Sequence, residues 1–89
     1  MTMTQQSPTL VSVLDEVRAE TSKELGIDIS EIAEDTVLKQ LPGADSVRLL
    51  RIVAQIERIH DVEFEDADIF RVTTPGELAQ LVVAQSAEA

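Results

Sequence analysis

Eighty-nine residues suit one small domain, which buries a little over ~60% of the surface its unfolded chain exposes. Cysteine is absent, so disulfides, thiolate nucleophiles and thiolate metal sites are excluded together. Seven Lys and Arg against seventeen Asp and Glu leave a formal charge of −10, the wrong sign for the basic footprint that nucleic acid demands. Such a charge keeps a small protein soluble and makes cationic protein surfaces its natural electrostatic partners.

Hydrophobic residues make up 44% of the chain, yet Phe64 and Phe70 are its only aromatics, so the core must be aliphatic and suits helix packing better than a sheet. No basic start followed by an apolar run precedes Leu10, and no apolar run approaches membrane-spanning length. A cytoplasmic address with no membrane association is expected.

Residues 1–7 are polar and aperiodic, and read as a fraying tail. Pro8 suits a first helical turn, and Leu10, Leu14, Val17, Thr21 and Leu25 follow at three- and four-residue steps along one helix face, ended by Gly26. From Gly26 to Ala44 no long periodic segment occurs. Ile27, Ile29, Ile32, Val37, Leu38 and Leu41 are expected to anchor this long connection, with one helical turn begun at Ser30. Pro42 holds Leu41 extended and Gly43 permits a tight turn into Asp45 and Ser46.

A second helix runs from Ser46 to about Ile59, with Leu49, Leu50, Ile52, Val53, Ile56 and Ile59 as a broad apolar stripe. Arg48, Arg51, Gln55 and Arg58 share the solvated face, and His60-Asp61 ends the run. A short helical turn follows near residues 66–71. Thr74-Pro75-Gly76-Glu77 is a capping box with Pro at the first helical position, starting a last helix whose inward face is Leu78, Leu81 and Val82. The expected fold is all-α: a small four-helix bundle of three main helices and one short helix, its domain spanning 8–85 and a flexible tail 86–89.

Ser46 is the residue of chemical interest. A helix start presents free N–H groups and the positive dipole end, so a phosphate ester on that hydroxyl is well placed. Serine catalysis is not expected, because the only histidine, His60, lies fourteen residues on, about 21 Å along a continuous helix, and no Gly-x-Ser-x-Gly surrounds Ser46. With one His and no Cys, a metal site is not expected either. Glu63, Glu65, Asp66 and Asp68 read as a solvated acidic patch.

An exposed, unassisted serine at a helix start is an acceptor for another enzyme. Asp45-Ser46-Val47, with Asp35-Thr36-Val37-Leu38 upstream and Asp68-Ile69-Phe70 downstream, resembles the phosphopantetheine-binding region of acyl and peptidyl carrier proteins over residues 10–83. The resemblance implies 4′-phosphopantetheine from coenzyme A attached covalently to Ser46, with Asp45 the adjacent motif residue, Val47 an exposed apolar contact for partners and the second helix a recognition helix. It implies a carrier with no catalytic residue of its own, serving a phosphopantetheinyl transferase, an acyl- or aminoacyl-loading enzyme and downstream synthase or tailoring enzymes. A monomeric, free-standing carrier protein is expected.

Fatty-acid synthase carriers resemble one another in an acidic recognition helix, whereas here Arg48, Arg51 and Arg58 line it. This stripe reads either as a partner surface or as a solvated face with intrahelical pairs such as Asp45 to Arg48. The acidic chain and the basic stripe together point to an acyl carrier of a specialised polyketide or mixed polyketide and nonribosomal peptide pathway. A peptidyl carrier and a helical module that docks partners without covalent modification are the alternatives.

Overall fold

The computed structural model describes residues 9–87. Four helices follow one another: α1 (Leu10–Leu25), α2 (Ser46–His60), α3 (Asp66–Arg71) and α4 (Pro75–Ala87). The described residues contain no strand. This is the all-α bundle expected from periodicity, with three long helices and one short one. α1 lies against both α4 and α2, and α3 is a short bridge between α2 and α4.

Each helix starts and stops for a local reason. Thr9, extended, caps α1 by accepting the Ser12 N–H (3.1 Å), and Gly26 ends it in the left-handed region at φ 69°. Pro8 lies outside the described residues. α2 closes at Asp61, also left-handed at φ 54°, whose N–H reaches Glu57 O. Glu57 Oε2 accepts the Phe64 N–H (2.8 Å), holding the turn that follows. α4 continues to Ala87, beyond the boundary at Gln85 that loss of apolar periodicity suggests. The Glu88-Ala89 end of the expected tail, and residues 1–7, lie outside the described residues.

The main core joins Val13 and Val17 of α1, Ile52 and Ile56 of α2, and Leu78 and Val82 of α4, all buried. Removing one such side chain from water is worth about 1.5–3 kcal/mol. Thr21 is wholly buried among them, and its hydroxyl donates to Val17 O (2.7 Å), so the polar atom carries no desolvation penalty. A second cluster of Leu25, Ile32, Leu38 and Leu41 seats the long connection. Two side chains assigned to the inward stripe of α2 face outward: Leu50 is 52% and Ile59 44% exposed. Leu10 is also exposed, because it begins α1 above the core.

The connection between α1 and α2 is pinned along its length. Two single 3-10 turns, Ile29–Glu31 and Leu38–Gln40, break it up. The first begins one residue before the expected Ser30, since Asp28 caps it by accepting the Ser30 N–H (2.8 Å). Arg18 of α1 donates from Nε to Ile32 O (2.5 Å) and from Nη2 to Ile29 O (3.1 Å). Thr36 Oγ1 accepts the Ala33 N–H (2.8 Å), and Leu38 N–H reaches Thr73 O (2.9 Å). Ile32, Leu38 and Leu41 are the buried anchors, while Ile29 and Val37 stay exposed.

Candidate functional site

The approach to Ser46 is set by backbone chemistry. Leu41 is extended (φ −72°, ψ 149°), as Pro42 requires of its predecessor. Gly43 has φ 81°, and the Ala44 N–H donates to Leu41 O (3.1 Å). This is a turn with Pro second and a left-handed residue third, a place that glycine fills without strain. The turn delivers Asp45 in an extended conformation (φ −147°, ψ 174°) as the N-cap of α2, with Ser46 as its first helical residue.

Asp45 Oδ1 accepts the Arg48 N–H (2.8 Å), and Leu49 N–H bonds Asp45 O (2.9 Å). The carboxylate is thereby directed to the helix backbone. Ser46 and Val47 lie ahead of these bonds, where the N–H groups of a helix have no partner within it. Ser46 is exposed at the surface, as a modifiable hydroxyl must be. His60, the only histidine, sits at the other end of α2 and meets Glu16 of α1 through Nε2 (2.5 Å). It ties two helices together and has no access to Ser46. Among the described residues no group of three or more His, Asp or Glu could hold a metal ion.

Two depressions flank α2, and they differ in chemistry. The larger, about 460 Å³, lies between α1 and α2 and is charged, lined by Glu20, Lys23, Glu24, Arg51, Gln55 and Arg58. The smaller, about 140 Å³, contains Ser46 and is walled largely by aliphatic and aromatic carbon from Leu38, Leu49, Leu50, Ile69 and Phe70. We attach the site to the smaller because it holds the hydroxyl. A phosphate diester on Ser46 would meet the positive end of α2, and a flexible arm leaving it would run beside an apolar wall. The residues present therefore fit a phosphopantetheine group.

The arginine stripe is where sequence and structure part company. Arg48, Arg51 and Arg58 are all exposed, as expected of that face. The expected intrahelical pair between Asp45 and Arg48 does not form: Asp45 takes the Arg48 backbone N–H, and the guanidinium turns to α1, donating to Glu24 O (3.3 Å). Arg51 pairs with the Glu24 carboxylate at 3.5 Å, and Arg58 bonds Gln55 Oε1 (3.1 Å). Val47 is 60% exposed. Phe70, at 83%, stands on the rim of the Ser46 cavity with half-exposed Leu50. Hydrophobicity placed Leu50 among the packing residues, and nothing in the linear pattern distinguishes it from Ile52.

Comparison with known proteins follows the same line. Residues 15–82 match the family described as a phosphopantetheine attachment site. The acyl carrier protein of Thermotoga maritima is 30% identical over 70 residues, covering 79% of this chain and 86% of that protein. Polyketide-8 synthase acyl carrier protein 1 of Streptomyces avermitilis is 35% identical over 80 residues, covering 84% and 94%. The NMR structure of the HMG-ACPI domain from the CurA module of Lyngbya majuscula superposes with a TM-score of 0.79 at 21% identity, covering 99% of this chain and 89% of that one, a likeness of fold. A match across most of the chain, with carrier relatives themselves matched over most of their length, makes this chain a member of the acyl carrier protein family, the non-catalytic proteins that present a phosphopantetheine attachment site.

Proposed function

We propose that this chain carries acyl intermediates on a 4′-phosphopantetheine arm joined to Ser46 Oγ, in the cytoplasm, where coenzyme A is available, and in a specialised polyketide or mixed polyketide and nonribosomal peptide pathway. The observation behind the reading is an exposed serine at the first position of α2, on the rim of an apolar depression, within a chain of the attachment family. The 35% identity to a polyketide synthase carrier supports the pathway.

Once bound, the arm supplies a terminal thiol that holds cargo as a thioester. Asp45 caps the first turn of α2 and so fixes the backbone from which the hydroxyl is presented. Among the described residues His60 is engaged with Glu16 and the Asp45 carboxylate with the Arg48 N–H, so the transferase is the group that removes the Ser46 proton. Leu50 and Phe70 give the arm's exit an apolar margin. The partners are that transferase, an acyl-loading enzyme and the synthases that use the cargo.

Intact-mass measurement after incubation with coenzyme A and a broad-specificity phosphopantetheinyl transferase tests the attachment. One phosphopantetheine should add to the native chain and none to Ser46→Ala. If the folded native chain gains nothing, the protein is a docking module that works without covalent modification. The thioester present on protein from its native host reports acyl or aminoacyl cargo directly.

A further inference from the structure

α2 carries three arginines and one glutamate, a formal +2 with His60 neutral, inside a chain of −10, so the other segments together hold −12. The positive charge is also poorly neutralised. Seventeen carboxylates are available in the sequence, yet among the described residues Arg48 meets a backbone carbonyl and Arg58 an amide oxygen, neither of them a carboxylate. Arg51 has one ion-pair contact at 3.5 Å, and its side chain remains 66% exposed. Asp45 is the acid nearest to Ser46, and its carboxylate is engaged by the Arg48 N–H.

Beside this row runs an apolar one. Val47, Leu50 and Ala54 recur at three- and four-residue steps and are all exposed, and Phe70 continues the carbon surface across the Ser46 cavity. Val47, Leu50 and Phe70 are 60%, 52% and 83% exposed. Their arrangement is an apolar ridge bordered on its α1 side by guanidinium groups.

Resting on the reading that Ser46 is visited by other enzymes, we infer that α2 docks a partner whose contact face is acidic: an apolar patch for Val47, Leu50 and Phe70, flanked by carboxylates that pair with Arg48, Arg51 and Arg58. Charge decides the orientation. A cationic partner is drawn to the carboxylates that lie outside α2 and is repelled by the three arginines on it. An acidic partner is repelled by those carboxylates and accepted on α2, so the one attractive approach is the one that reaches the serine. Within a screening length of about 8 Å at physiological ionic strength, Glu20, Lys23 and Glu24 of α1 share this face, and Glu24 is already paired with Arg51; among the described residues Arg48 and Arg58 meet no carboxylate and are the cations open to an acidic partner. Arg is also suited to this role because its planar fork binds carboxylate in a bidentate way.

The probes are two synthetic amphipathic helical peptides with one leucine face, flanked by Glu in one and by Lys in the other, titrated into the unmodified isotope-labelled chain. The Glu peptide should move the amide signals of α2 from Val47 to Arg58, and its affinity should fall several-fold as salt rises from about 50 to 300 mM. Arg48→Glu with Arg51→Glu should weaken it about tenfold or more. Arg58→Glu, whose guanidinium bonds only within its own helix, is the second variant should the pair disturb the packing on α1. Equal or tighter binding of the Lys peptide on α2, binding of the Glu peptide elsewhere, or binding of neither overturns the inference. Because the titration uses unmodified protein, a failure of Ser46 to gain mass overturns the attachment reading separately.

Discussion

The starts of α2 and α4 are built from the same materials and end in opposite conditions. Each has a polar capping residue and a short hydroxyl side chain in or beside its first turn. At α4 every donor is occupied. Thr74 N–H meets Glu77 Oε1 (3.3 Å), Pro75 has none to offer, Gly76 N–H meets Glu34 O (2.9 Å) and Glu77 N–H meets Thr74 Oγ1 (3.2 Å). Thr73 adds two more bonds to Glu77 Oε1, both 2.7 Å. At α2 the carboxylate of Asp45 takes one N–H, and the hydroxyl of Ser46 is left to the solvent. A hydroxyl at the N-cap completes a helix, whereas a hydroxyl one place later is free for chemistry. The single-residue offset separates a helix start whose hydroxyl is used up in capping from one whose hydroxyl is exposed.

Substitutions at the two starts should therefore diverge. The largest contrast is Ser46→Ala, expected to abolish mass gain from the transferase while changing the unfolding free energy from urea denaturation by less than about 0.5 kcal/mol, since an exposed first-turn side chain is removed. Next is Gly76→Ala. A Cβ there would lie 2.8 Å from Glu34 Cγ and 3.1 Å from Glu34 O, and this carbonyl is held by the Gly76 N–H itself. Overpacking of about 1–3 kcal/mol outweighs the ~0.5–1 kcal/mol that Ala gains over Gly in a helix, so urea denaturation should show a less stable protein with unaltered Ser46 loading.

Thr74→Ala and Asp45→Ala each remove a cap and should cost about 1 kcal/mol in the same assay. Only Asp45→Ala should also slow loading, because the turn that frays is the one presenting Ser46. Equal loading rates in the two variants would show that presentation does not depend on the cap.

The smallest effect is one of pH. Hydrogen bonds from the Thr73 backbone N–H, then from its hydroxyl, hold the Glu77 carboxyl below its ordinary 4.5. The unfolded chain thus binds that proton more readily than the folded one, so the stabilisation is complete above the ordinary value and is lost as pH falls through the lowered one. Thermal midpoints by circular dichroism between about pH 6 and pH 3 should decline less steeply in Glu77→Gln than in the native protein.

Much of this was legible in the sequence because it rests on local rules. Gly26, Pro42-Gly43, Asp45 and Thr74-Pro75-Gly76-Glu77 each act on neighbours within four residues, and the structure places each as its chemistry requires. What escaped depends on the rest of the molecule. A stripe as wide as that of α2 does not reveal which edge meets α1 and α4, so Leu50 and Ile59 were indistinguishable from Ile52 and Ile56. Val13 of α1 and Ala79 of α4, both fully buried, were hidden for the same reason. Arg48, Arg18 and His60 find partners 24, 14 and 44 residues away. No spacing rule encodes such pairings, and they appear only when helices are brought side by side.

The connection held by Arg18 bears on how fast a partner can engage. A segment of this length with so little regular structure would ordinarily have to be immobilised during an encounter, subtracting ordering entropy from the affinity gained. Here guanidinium hydrogen bonds and the Glu34 carbonyl have already fixed it against α1 and α4. The collision therefore meets a preset surface, and little ordering entropy is subtracted when a partner seats on it.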